Sequence, residues 1–161
     1  MDERLPSAEQ VHRATASDAD QPGANRVALA IGWALVVAAA GGLACGWIID
    51  RFGEFGSISL WGLGALAGVV SRKITRSASP LAAWSQVAAC AVALVLAEVC
   101  WIRWNIVLKP DTWEQAIATL PTFVEQYQLA ALIAALFTAF GAYAAWWRAG
   151  ARYRLVAVEI R

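Results

Sequence analysis

From Val27 to Ile49 the chain runs for 23 residues without a charged side chain. As an α-helix rising 1.5 Å per residue that run is about 34 Å long, enough to cross a hydrocarbon layer about 30 Å thick. The rest of the chain is of the same kind. Of its 161 residues 60% are hydrophobic and only 16% charged, with nine Trp and a mean hydropathy of +0.53. Soluble domains are typically about a quarter charged and about 45–50% apolar. These values exclude a disordered tail protein, a basic nucleic-acid-binding domain and an ordinary cytosolic enzyme. They point to a polytopic membrane protein.

Two further spans are plain. Leu81 to Ile102 is interrupted only by Ser85, Gln86 and Glu98, and Leu129 to Trp147 carries no charge. Ile58 to Val70 is shorter, reaching only about 20 Å as a helix. It approaches full length when counted from Phe55, with Arg72 and Lys73 snorkelling at its far end. With four spans, ten basic residues fall on one side (Arg4, Arg13, Arg26, Arg72, Lys73, Arg76, Arg148, Arg152, Arg154 and Arg161) and three on the other, Arg51, Arg103 and Lys109. Basic residues concentrate on the cytoplasmic side, so both termini and the 71–80 loop are expected inside. Omitting the short second span would put the clusters 72–76 and 148–161 on opposite faces. Trp33, Trp84, Trp146 and Trp147 then lie near cytoplasmic ends and Trp47, Trp61, Trp101 and Trp104 near outer ends, as aromatic belts do.

Residues 1–26 are polar and of mixed charge, too poor in large apolar residues to offset their ordering entropy, and are expected to form a disordered cytosolic tail. Their polarity also sets them apart from a secretory signal, in which the apolar stretch comes early. Between spans three and four, Asp111 and Glu114 form a capping-box pattern. Trp113, Ala116, Ile117 and Leu120 follow on one helical face. A short interfacial helix with that face in the lipid boundary is expected. Pro121 should end or bend it, with Thr122 and Glu125 capping the last helix.

Gly62-Leu63-Gly64-Ala65-Leu66-Ala67 formally matches the dinucleotide-binding fingerprint. That fingerprint needs a preceding strand to turn the chain beneath a pyrophosphate, and here it lies within an apolar helix with no βαβ pattern around it. The glycines are better read as packing residues. Gly64 and Gly68 are four apart, as are Ala38, Gly42 and Gly46 on the first span. Small residues at this spacing let two helix backbones approach closely. Whether the two grooves meet each other or another subunit is open at this stage.

The pattern Gly62-x-Gly64-x-Leu66-x-Gly68-x-x-x-Arg72, with Ser79-Pro80 closing the loop, resembles that of a family of uncharacterised small four-span bacterial membrane proteins. The stretch Ala135 to Trp146, containing Gly141-Ala142-Tyr143, is similar to their last span. The resemblance covers about residues 30–147; the 71–80 loop and the end of the third span lack glycines usual there. It implies the bacterial inner membrane and this topology, and no known activity.

Glu98 is the one ionisable residue well inside an apolar run, and a carboxylate at membrane depth is costly unless paired, hydrated or protonated. Trp101, three residues outward, places it about a turn from the interface. From there it could snorkel or pair with Arg51 or Arg103. Proton or cation handling and a protonated interhelical hydrogen bond are the other readings. Gln86 and Ser85 are expected at the cytoplasmic interface. Arg72, Lys73, Arg148, Arg152 and Arg154 are expected to contact anionic lipid, each worth about 1 kcal/mol. Cys45, Cys90 and Cys100 read as small packing residues. The single His12 sits in the polar tail, so no metal site, cofactor or catalytic set can be assembled.

The sequence therefore predicts an all-α, four-helix transmembrane bundle, N-in and C-in, spanning 27–147 between the 1–26 tail and a basic juxtamembrane segment, 148–161. Its expected partners are the bilayer and either further copies of itself or another membrane protein, not nucleic acid. The expected role is non-enzymatic, a helix-packing assembly factor or accessory subunit. The alternative is an oligomeric small-solute or ion permeation unit using Glu98.

Overall fold

A computed structural model describes residues 22–104 and 110–150. Every element among them is helical: α1 (Ala24–Val36), a π-helical turn (Val37–Gly41), α2 (Gly42–Phe52), a 3-10 turn (Gly53–Ser57), α3 (Ile58–Thr75), α4 (Pro80–Trp104), α5 (Trp113–Gln126) and α6 (Gln128–Gly150). Three helical stretches are long and apolar enough to cross a membrane: Ala24–Thr75, of 52 residues, Pro80–Trp104, of 25, and Gln128–Gly150, of 23. Helix begins at Ala24, so the last three residues assigned above to the tail are helical.

The first stretch is not straight. At Gly53 the backbone adopts φ 60° and ψ −143°, a conformation open to glycine and strained for other residues. The 3-10 turn then returns the chain on itself. A Cβ on Gly56 would lie 2.7 Å from Ile49 Cα, so only glycine lets the returning chain pass that close to α2. Beyond the turn, Ala67 and Leu63 of α3 pack against Ala34, Val37 and Trp33 of the first leg. Four legs that alternate in direction result, so that α2 runs parallel to α4 and α3 parallel to α6. The described ends meet at one end of the bundle, where Gln86 Nε2 donates to Ala30 O at 2.9 Å and Ser79 N to Ala149 O at 3.2 Å.

The interior is made of small side chains. Ala30, Ala67, Ala82, Ala83, Ala93, Ala97 and Ala145 are fully buried, while Leu29, Leu35, Trp84, Leu129 and Phe140 point outward, each at least 60% exposed. Large apolar groups on the outside and alanine within is what close helix packing in lipid requires. The two glycine grooves do not meet each other. Gly42 and Gly46 of α2 lie on α4, where added Cβ atoms would sit 3.0 Å from Ala93 O and 2.7 Å from Cys100 Cβ. Gly64 and Gly68 of α3 lie on α6, the first against the backbone of Gly141 and the second with its Cβ position 2.6 Å from Ala145 Cα. Both grooves are filled within the chain, and α3–α6 is the most extensive pairing.

The phase of the first groove differs from the i, i+4 reading. Ala38 is only half-buried, and Val37 is the buried residue. The π-helical turn inserts a residue, so that Val37 and Gly42, five apart, fall on the same inward face.

The outer helix also departs from expectation. Its capping box is Thr112 with Gln115, not Asp111 with Glu114: Gln115 N donates to Thr112 Oγ1 at 3.2 Å, and Thr112 N to Gln115 Oε1 at 3.3 Å. Pro121 does not end it. Helix continues to Gln126 and breaks at Tyr127, so Thr122 and Glu125 cap nothing. The face expected in lipid is divided. Ala116, Leu120 and Phe123 pack on Val99, Ile102 and Trp101 of α4, whereas Trp113 and Ile117 stay exposed.

These contacts rank the glycines. Gly64→Ala forces a methyl into the Gly141 backbone, which cannot rotate away, and should destabilise by about 3 kcal/mol, the upper end of overpacking costs. Gly62→Ala, with nothing within 4 Å of its Cβ position, should change stability by no more than about 1 kcal/mol. Reversible unfolding in mixed micelles checks both.

Candidate functional site

A catalytic constellation would need convergent titratable groups, and the bundle interior offers few polar side chains of any size. Among the described residues the buried polar and charged ones are Ser57, Ser71, Thr75, Ser79, Gln86, Glu98 and Thr138. Thr75, Ser79 and Thr138 serve local backbone needs, and Ser71 Oγ is buried without a hydrogen bond. Thr138 Oγ1 donates to Ala134 O at 2.8 Å, and Thr75 Oγ1 to Ser71 O at 3.1 Å and Ser77 O at 2.8 Å. Those last bonds brace the end of α3, where Arg76 takes a left-handed φ of 59°. Ser79 Oγ accepts from Ala82 N at 3.3 Å and Pro80 opens the helix, a combination that suits an N-terminus because proline lacks the N–H that would go unpaired there.

Gln86 and Glu98 are the two long polar side chains of the set, both on α4 and twelve residues apart, about 18 Å along the helix. Gln86 is not interfacial as expected. It is fully buried, its Nε2 ties α4 to the carbonyl of Ala30 on α1, and its Oε1 is buried without a hydrogen bond. The expectation erred because depth along a helix is legible in sequence, but which face a neighbouring leg covers is not.

Glu98 is 6% exposed, with Oε2 buried and unbonded. It neither snorkels nor pairs with the outer arginines. Arg51 is exposed, its guanidinium 5.9 Å from the Trp47 ring centroid. Arg103 donates from Nη2 to Asp111 O at 3.4 Å and lies 6.0 Å from the Trp113 ring centroid. Above Glu98 sits an aromatic cluster. Trp101 meets Phe123 edge-to-face at 4.9 Å, and Phe123 lies 4.8 Å from Tyr127. Phe123 is the largest fully buried side chain and was not singled out in the sequence. Its i, i+3 spacing from Leu120 continues the apolar face of α5 past Pro121 and could have revealed it.

The basic residues divide. Lys73 and Arg148 are exposed at the end of the bundle shared by both described termini. Arg72 is half-buried, with Nη1 turned inward and unbonded, so it is not a free lipid contact on all sides. Arg152 and Arg154 lie outside the described residues, as does the 1–21 segment. Cys45, Cys90 and Cys100 are buried free thiols. Among the described residues no three His, Cys, Asp or Glu side chains gather as metal ligands would.

Comparison with family models, with curated proteins and with solved structures gives no match.

The two buried polar residues should respond oppositely to replacement by leucine. Gln86→Leu removes an interhelical hydrogen bond and should cost about 0.6 kcal/mol, the average for such bonds in a membrane protein. Glu98→Leu removes an unsatisfied buried group and should stabilise by about 1–3 kcal/mol. Denaturant titration of the two variants beside the parent chain measures the difference in sign.

Proposed function

We propose that this chain is a multi-pass membrane protein that crosses the bilayer four times, with both ends on the cytoplasmic side, and acts without catalysis through packing against other membrane helices. The observation that carries this reading is the division of its side chains. Small residues fill most of the interior, while most of the large apolar groups face outward, with Ile49, Leu60, Ile102 and Phe123 the buried exceptions. Such a body has nothing to offer a substrate and a broad apolar perimeter to offer a neighbour. The bacterial inner membrane is the proposed location, on the strength of the resemblance given above and of the basic bias toward one end. Lys73 and Arg148, exposed at that end, are placed to hold anionic headgroups there.

The occupied grooves move the expected interface. Gly42, Gly46, Gly64 and Gly68 are used inside the chain, so association must employ outward faces. Gly32 of α1 and Gly62 of α3 are exposed, with open space where a Cβ would be, and are the points at which a second backbone could come near.

Native mass spectrometry of the protein released from its own membranes tests the reading. The expected result is a complex, with a second copy or with another membrane protein. Its abundance should fall several-fold in Gly32→Leu or Gly62→Leu, while the helical content of the monomer is kept. A parent chain that emerges only as monomer would defeat it.

A further inference from the structure

Glu98 is almost wholly buried, and a separate helix packs on α4 just outward of it. On its own face of α4 the next residues outward are Trp101 and Ile102, at i+3 and i+4. Ile102 is fully buried beneath Ala116 and Phe123 of α5, with Leu120 and Trp101 completing the contact. Inward, Leu94 lies one turn away and packs on the cluster of Cys45, Ile49, Leu60, Ala97 and Ala134. Between Gln86 and Glu98 the helix carries no hydroxyl, amide or charged side chain. On α4 itself no polar side chain leads from Gln86 to Glu98, and α5 packs across α4 just outward of Glu98.

Among the described residues no charge is paired with the carboxyl. The elements packed on α4 bring Arg26 on α1, Asp50 and Arg51 on α2, Arg72 and Lys73 on α3, Glu114 and Glu125 on α5, and Arg148 on α6. Glu54 lies on the turn before α3. Among the described residues none of these forms an ion pair or hydrogen bond with Glu98. A carboxylate stripped of water and left unpaired costs several kcal/mol, and the group relieves that cost by taking up a proton.

We propose that Glu98 is a proton-binding site, held as the neutral acid inside the bundle and sealed from the outer surface by α5 through Phe123. The site is independent of whether the chain assembles with a partner.

Carbodiimides of different solubility test it on the full chain in lipid vesicles at neutral pH. The acid O–H adds across one C=N bond of the reagent, oxygen going to carbon and the proton to nitrogen, with nothing leaving. Peptide mapping should show Glu98 modified by apolar dicyclohexylcarbodiimide at least tenfold more than by a water-soluble carbodiimide, with Glu125 showing the reverse preference. Phe123→Ala should raise water-soluble labelling of Glu98 several-fold and leave Glu125 unchanged. Should that variant fail to fold, Phe123→Leu serves in its place. Equal labelling of parent Glu98 by both reagents overturns the seal, as does a folded Phe123 variant that labels like the parent. No labelling by the apolar reagent overturns the neutral acid. An infrared carboxylic-acid carbonyl band lost in Glu98→Gln would support it without any reagent.

Discussion

Between helices that already face lipid, burying apolar surface supplies no drive to associate, because the lipid tails are as apolar as leucine. What remains is the number of atoms brought into contact, and this depends on how near two backbones can come. In this chain the distance is set at Gly64, where α3 rests on the backbone of Gly141 with no room for a methyl group between them. Gly68 on Ala145 repeats the contact one turn on, and Gly46 on Ala97 and Cys100 does the same for α2 and α4. The alanine interior follows from those approaches. Helices held this close leave little space for larger side chains, most of which are displaced to the perimeter.

That economy explains why the polar residues that remain inside are conspicuous. Gln86 spends one of its groups on the carbonyl of Ala30 and so joins the first leg to α4 near the inner end. Glu98 has no such use. One turn beyond it on α4, Ile102 packs with Phe123 and ties α5 to the interior. The edge-to-face contact of Trp101 and Phe123 is of the kind worth about 0.5–1.5 kcal/mol beyond the area it buries, enough to keep α5 seated.

Much of this was legible in the sequence, and what was not has identifiable causes. Uncharged runs set the helices to within a few residues, because length and hydropathy are one-dimensional properties. Small-residue spacing found Gly42, Gly46, Gly64 and Gly68, but spacing cannot say which helix fills a groove, and the partner Gly141 drew notice only through the resemblance. The π-helical turn was invisible because nothing in Val37–Gly41 departs from helical composition; it shows only as the five-residue step between buried Val37 and Gly42. The outer helix was misread just past Pro121, where proline sits on the exposed side and the same helix continues to Gln126 instead of a new one starting at Thr122. Pairing Glu98 with Arg51 or Arg103 failed for a similar reason. Both arginines are within reach by sequence depth, yet each lies along an aromatic ring at the surface instead.

The proposed four crossings rest on the reversal at Gly53, which folds the 52-residue stretch Ala24–Thr75 back on itself. Single cysteines placed at Glu54 and at Ser77, in a chain whose three native cysteines are replaced by alanine, put the point to a direct measurement with a membrane-impermeant thiol reagent on intact cells. Labelling of the Glu54 position from outside, with the Ser77 position reached only after permeabilisation, is the predicted outcome. Labelling of both positions from the same side would contradict it.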